Sequence, residues 1–301
     1  GELTIGGQDH FYLEGQVAMA VPQESGEMLV WSSTQHPTEI QKMVARVLGL
    51  PYAAVTAQVR RMGGGFGGKE TQPAIFACVA AVLARLSARP VKLRLDRDDD
   101  MMITGKRHDF HIRWEVGYDG SGRLLALEMR LAARAGHVAD LSPAIVDRAM
   151  FHALNCYFVP DVAVAGYACK THTQSNTAFR GFGGPQGMLA AEDMIDAVAR
   201  ALGTDAIEIR RLNYLAPGRD TTHYHQPVED FILPEITDQL LAAAEYAARR
   251  RTIAAFNAAS TNVKRGLGFA PVMFGISFTT TMFNQAGALV HVYTDGSVQL
   301  N

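Results

Sequence analysis

Thiols are scarce in this 301-residue chain, whose three cysteines, Cys78, Cys156 and Cys169, stand far apart with no CxxC pair. That spacing excludes a sequence-local iron–sulfur or zinc-ribbon site and an even disulfide framework, and makes a reducing cytoplasm the expected compartment. Long apolar runs are missing too. The longest, Ala74 to Ala84, has 11 residues, against the roughly 18 that suggest a membrane span, so no membrane association is expected. Charge is sparse and balanced: 28 basic against 30 acidic residues leave −2, and charged residues make up only 19%. Neither a nucleic-acid footprint nor a disordered composition fits those values. HExxH and GxSxG are absent, which removes two metalloprotease and hydrolase signatures. An initiator Met and a secretory leader are also missing. The abrupt start leads us to expect a segment of a longer protein.

What is present reads as α+β, with mixed sheets and flanking helices. Phe11, Leu13, Val17, Met19 and Val21 alternate as a strand with a bulge at Gly15, and Met28 to Trp31 follows as a second strand. Thr38 with Gln41 reads as a capping box ahead of a helix that Gly49 and Pro51 close. Val55 to Met62 reads as a strand leading into Gly63-Gly64-Gly65-Phe66-Gly67-Gly68 and then a helix from Pro73 to about Leu86. Val91 to Asp96 is a short strand, Phe110–Val116 and Leu124–Ala135 form a hairpin around Asp119–Gly122, Ser142 to about Leu154 is a helix, and Val162–Cys169 is another strand. Gly181-Phe182-Gly183-Gly184 then echoes the first glycine loop, with a helix from Gln186 to Leu202 behind it. A single helix from about Leu233 to Asn257 reads as a connector, and Ala288 to Asn301 as a hairpin about Asp295-Gly296. We therefore expect a first domain over residues 1–232 and, over 233–301, a connector helix and the start of a second.

The glycine loops are the candidate chemistry. A glycine run ahead of a helix leaves backbone N–H groups bare for an oxo anion or phosphate, although a tight strand-to-helix turn uses glycine as well. A phenylalanine gains nothing from φ freedom, so its presence between glycines points to a role for its face, either packed inward or as the wall of a planar pocket. Gly63, Gly65 and Gly68 also satisfy GxGxxG with Asp96 beyond, which keeps an NAD-binding dehydrogenase in view. Against it, Arg60 and Arg61 interrupt the preceding strand, where that fold needs a buried run. The run Arg97-Asp98-Asp99-Asp100 reads as a solvated loop rather than a cation site, and His108, His111, His223 and His225 lack acidic or thiolate partners at ligand spacing. A scaffold that only docks a partner is the remaining alternative outside enzymes.

Several longer stretches carry a family resemblance. They are Gly6-Gly7-Gln8-Asp9-His10-Phe11-Tyr12-Leu13-Glu14, Ser33-Thr34-Gln35, Arg61 to Glu70 through the first loop, and Thr177 to Gln186 through the second. Phe274-Gly275-Ile276-Ser277-Phe278, Asn284-Gln285-Ala286-Gly287 and His291-Val292-Tyr293-Thr294-Asp295-Gly296 continue the match to the end of the chain. In order and in content they resemble the molybdopterin-binding part of molybdenum hydroxylases of the xanthine dehydrogenase type.

The resemblance implies a molybdenum–molybdopterin cofactor with no direct protein ligand to the metal. Gly65, Phe66 and Gly67 would lie against it, Gln35 would donate to its apical ligand, and Arg180 would belong to the structure around it. Phe182 and Phe278 would sandwich a purine, Glu70 would hydrogen-bond its ring, and Arg148 would face a substrate oxygen and offset negative charge. Aldehyde oxidases resemble this pattern with apolar residues at the last two places, so Glu70 and Arg148 argue for hypoxanthine or xanthine oxidised to urate. The implied reaction is attack of a metal hydroxide on a ring carbon with hydride transfer to a sulfido ligand. Electrons would leave through 2Fe-2S clusters and FAD to NAD, all carried by an iron–sulfur/FAD subunit or domain outside this chain. The general base and the rest of the molybdopterin-binding region would likewise lie elsewhere, and the full enzyme would be a homodimer. We expect the isolated segment to be inactive.

Overall fold

The computed structural model describes residues 1–279 and 281–300. Two α/β layers, each with its own apolar core, make up the first two-thirds of the chain. In the first layer, β2 (Val17–Pro22), β3 (Met28–Ser32), β4 (Val55–Gln58) and β5 (Val91–Arg94) lie in the order β4-β3-β2-β5, antiparallel except for the parallel pair β3–β4. Helices α1 (Pro37–Leu48) and α2 (Pro73–Ser87) pack on this sheet. Ala77, Ala81 and Ala84 of α2 are fully buried, and side chains this small let the helix approach the strands closely.

In the second layer, β1 (Glu2–Ile5), β6 (Phe110–Tyr118), β7 (Leu124–Gly136) and β8 (Asp161–Lys170) follow one another across a sheet in which only β7 and β8 run parallel. The β7-to-β8 crossover carries α4 (Ser142–Phe151), which packs with α5 (Gly184–Leu202) over the sheet. Met129, Leu131, Met194 and Ile195 are the fully buried centre of this core. Helix α6 (Ala206–Asn213) closes the layer with Asp205 as its N-cap, accepting from the Ile207 N–H at 3.0 Å. The architecture is α+β with mixed sheets, as expected.

Several elements differ from their sequence reading, each for a local reason. Phe11 and Leu13 are 70% and 92% exposed and precede the strand rather than belonging to it. Phe11 has φ +49°, outside the extended region. The capping box does not form: α1 starts at Pro37 behind His36, and Gln41 instead donates to the Tyr52 and Val55 carbonyls. Strand β4 stops at Gln58, four residues before Met62. Arg97–Ile103 is a short helix, α3, because Asp96 accepts from the Asp99 N–H at 2.8 Å and caps it.

The expected connector is two helices, α7 (Leu233–Ala243) and α8 (Tyr246–Ala259), parted at Glu245 with φ +48°. Each half has its own anchor. Thr237 of α7 is bonded to the Tyr214 hydroxyl, and Tyr246 of α8 donates to the Asp205 carboxylate at 3.0 Å. The last hairpin pairs β9 (Val290–Val292) with β10 (Val298–Leu300), while Asn301, its expected final residue, lies outside the described residues. Among the described residues no helix is long and apolar enough to cross a membrane.

Candidate cofactor cradle and substrate walls

Gln35 follows β3 directly and is fastened to the first glycine loop from both ends of its residue. Its backbone N–H donates to the Lys69 carbonyl at 2.7 Å, and its side-chain Oε1 accepts from the backbone N–H groups of Gly67 (2.8 Å) and Lys69 (3.3 Å). Only an acceptor can face two N–H groups, so the amide orientation is fixed and Nε2 is the atom turned away. That Nε2 has no protein partner among the described residues, and the side chain is exposed. The backbone N–H groups of Gly64, Gly65 and Phe66 are equally without a partner there. The loop therefore divides its donors: two hold Gln35, and three have no protein partner among the described residues.

The loop is held from below by a polar cluster. Lys69 is fully buried and donates to the Glu14 carbonyl (2.7 Å), the Glu14 carboxylate (3.2 Å) and Ser33 Oγ (2.9 Å). Burial lowers the Lys69 ammonium below the ordinary lysine range, partly offset by the Glu14 charge. Burial would raise Glu14, but hydrogen bonds from Ser33 and Gly63 together with the Lys69 charge outweigh it and hold that carboxyl below its usual range.

The two echoing loops share a backbone turn at their Phe-Gly step and touch. Phe66 and Phe182 take φ +55° and +53°, and the glycines that follow, Gly67 and Gly183, take +98° and +99°. The phenylalanine, expected to gain nothing from φ freedom, itself occupies the left-handed region. The Arg180 N–H donates to the Phe66 carbonyl at 2.8 Å, and a Cβ on Gly67 would stand 2.7 Å from the Ala178 carbonyl oxygen. His10 and Arg107 both pack on Phe179 at this seam. The imidazole stacks at 4.5 Å and bonds the Ala178 carbonyl at 2.6 Å; the guanidinium lies 4.0 Å from the ring and donates to the Arg180 carbonyl at 2.9 Å. The Arg180 side chain is exposed and makes no bond among the described residues.

Phe182 and Phe278, far apart in sequence, meet with ring centroids 5.5 Å apart and planes inclined at 54°. They touch each other directly, because a flat ring between two parallel faces needs about 7 Å, twice the ~3.5 Å contact distance of carbon atoms. Arg148, in the last turn of α4, is 95% buried and donates to the carbonyls of Gly275 and Ser277 just before Phe278. Among the described residues no hydrogen bond or ion pair joins Glu70 to Arg148. Burial first, then the charge of nearby Asp140, pushes its carboxyl up to about 7. Asp140 in turn accepts from Thr71 (3.0 Å) and Gln72 (2.9 Å).

Sequence reasoning passed over Glu14, Lys69, His10 and Arg107, although the first three lie inside the quoted motifs. Their signal was proximity to the loops, and no periodicity or spacing marked them as its support. Asp96, the acid a dinucleotide site would use, is spent as a helix cap, and residues 69–72 separate the glycine loop from α2. Among the described residues no three His, Cys, Asp or Glu side chains converge on a possible metal position.

The class this arrangement defines is a cradle of backbone amides and one oriented carboxamide beside a pair of aromatic walls. Two family models described as molybdopterin cofactor-binding domains match residues 1–214 and 239–301. The chain belongs to that family. It is 50% identical over its whole length to the xanthine dehydrogenase/oxidase of Felis catus and 47% identical to a nicotinate hydroxylase of Emericella nidulans. It spans 22% of the length of each of these relatives. Among solved structures, the aldehyde oxidoreductase of Desulfovibrio desulfuricans superposes with a TM-score of 0.86 at 26% identity, covering all of this chain and 32% of that one.

Proposed function

We propose that this chain supplies one side of the cofactor cradle and two substrate walls of a molybdenum hydroxylase that oxidises hypoxanthine or xanthine to urate. One observation carries the reading: Gln35 Oε1 is held by the Gly67 and Lys69 N–H groups, which leaves its Nε2, like the N–H groups of Gly64, Gly65 and Phe66, without a protein partner among the described residues, and we read these four donors as one surface. Such a surface fits oxo and dithiolene atoms, which accept hydrogen bonds and carry negative charge. A bound molybdenum–molybdopterin group would supply the hydroxylating and electron-accepting chemistry. Gln35, Gly65, Phe66 and Gly67 would hold it, and Arg180, with its side chain free, would reach its periphery.

For the substrate, Phe182 and Phe278 bind the two sides of a heterocycle. Opening their 5.5 Å contact by a few ångströms admits it, and that apolar slot excludes water from the ring. Glu70, with its carboxyl near 7, can donate or accept a proton-bearing bond at a ring nitrogen, and Arg148 balances charge that develops on a substrate oxygen. Iron–sulfur and flavin centres on other segments would carry electrons to NAD, in a homodimeric, cytoplasmic assembly. Residues 1–232 would form the first cofactor-binding domain and 233–301 the connector with the start of the second.

Metal analysis of the intact protein with urate formation from xanthine tests this reading, and a protein without molybdenum or without urate production refutes it. An aldehyde substrate is the second reading, favoured by the fold match to an aldehyde oxidoreductase. The double substitution Glu70→Val with Arg148→Met separates the two. We expect kcat/KM for xanthine to fall at least ~100-fold, as when charge-assisted hydrogen bonds are lost, while aldehyde turnover rises. Unchanged purine kinetics would remove both residues from the site.

A further inference from the structure

Residues 271–278 lead to Phe278 without forming a strand or helix of their own, and no backbone ladder holds them. Their backbone groups are tied instead to three side chains one turn apart, at the end of α4 and in the turn beyond it. Asn155 donates to the Pro271 carbonyl at 2.7 Å and accepts from the Met273 N–H at 3.1 Å. His152 accepts from the Gly275 N–H at 3.2 Å, and Arg148 donates to the carbonyls of Gly275 and Ser277. Because Gly275 N–H is a donor, His152 Nε2 is the bare nitrogen, and its Nδ1–H donates to the Arg148 carbonyl at 2.9 Å.

The rings of this segment reinforce the register. Phe274 packs on the His152 imidazole at 4.7 Å, and its ring stands 2.5 Å from where a Cβ on Gly184 would be. Gly184 ends the second glycine loop, the one that carries Phe182. The strap is thus seated on the same loop that presents the opposing wall. At its far end Asn284 brackets Phe278 by accepting from its N–H (2.7 Å) and donating to its carbonyl (2.8 Å).

We propose that His152 and Asn155 are positioning residues for Phe278, setting the separation of the two aromatic walls through the strap they hold. The proposal rests on the substrate reading above, since only a flat substrate feels that separation. Asn155 suits the task for a backbone reason as well. It sits at φ +47°, a conformation asparagine tolerates better than other side chains. Its Nδ2 also reaches the Glu192 carboxylate at 2.9 Å, which braces it against α5.

The experiment compares His152→Leu, His152→Gln and Asn155→Gly in the intact protein, reading KM and kcat for xanthine and for acetaldehyde, molybdenum content, and amide exchange at Gly275. Leucine removes the acceptor; glutamine restores one at similar reach; glycine at 155 keeps the backbone conformation while deleting the side chain. We expect His152→Leu and Asn155→Gly to raise the xanthine KM about three- to tenfold, the scale of a lost aromatic contact. The acetaldehyde KM, kcat and molybdenum content should hold within about twofold, and Gly275 exchange should accelerate in His152→Leu. His152→Gln should return the xanthine KM and the exchange rate to near the unsubstituted values. An unmoved xanthine KM overturns the positioning role, as does an equal loss for both substrates accompanied by loss of metal. Absence of xanthine turnover in the unsubstituted protein refutes the substrate reading itself, and the slot with it.

Discussion

The Glu70 carboxyl is the residue whose charge state matters most. Burial and Asp140 raise it to about 7, so near neutral pH it is a mixture of proton donor and acceptor. Removing the like charge with Asp140→Asn leaves burial as the main cause, and the Glu70 midpoint should move down towards the ordinary carboxylate range. Carboxyl-labelled NMR in the intact protein reads that midpoint directly, and a midpoint still near 7 would show that Asp140 does not act on Glu70. Gly67 makes a second, steric case. Its φ of +98° and the 2.7 Å approach of the Ala178 oxygen to a Cβ both oppose a side chain, so Gly67→Ala should cost about 1–3 kcal/mol of local stability. Because the displaced loop is the one holding Gln35, molybdenum content should fall alongside thermal stability; retention of full metal would separate the loop from the cradle.

At the scale of elements, legibility followed periodicity. The β6–β7 hairpin was readable almost to the residue because Phe110, Ile112, Met129 and Leu131 alternate into one core around a turn set by Asp119 and Gly122. The glycine loops stood out as a candidate site because nothing else in the chain resembles them. Their support did not: Lys69, Glu14, His10 and Arg107 meet only through folding, from segments no short-range pattern connects. Helix ends and breaks failed for the same reason. The connector looked continuous since alanines and arginines favour helix throughout, yet Tyr246 bonded to Asp205 and Thr237 to Tyr214 hold its halves separately. Glu245 at the joint has φ +48°, an unfavourable conformation for a residue with a Cβ. Glu245→Gly should therefore stabilise this pair of helices by about 0.5–1 kcal/mol, visible as slower amide exchange in α7 and α8; faster exchange would mean the kink is held by the glutamate side chain rather than despite it.

On the scale of the whole molecule, the two glycine loops touch where two separately cored layers meet, and around them lie histidines that burial keeps neutral. His10 at the loop junction and His152 and His223 beside the strap are all lowered by burial, and the fully buried His108, bonded to Ser142 of the second layer, is brought down to about 4. The unfolded chain begins to take up protons at these positions near pH 6.5, whereas the folded chain takes them up only at lower pH. A depressed base contributes stability that is present above 6.5 and is lost as pH falls towards the folded value. For His108 alone, a shift from 6.5 to about 4 amounts to about 2 kcal/mol at pH 5. Opening of the β6 and β7 amides, measured by hydrogen exchange in the intact protein and corrected for intrinsic rates, should become easier by about that amount between pH 7 and pH 5. The decrease should shrink in His108→Gln, which keeps a polar group facing Ser142 Oγ, 2.7 Å from the imidazole, but has nothing to protonate. Amides as stable at pH 5 as at pH 7 would mean that water reaches the His108 imidazole in the folded protein, and that the second layer does not seal it.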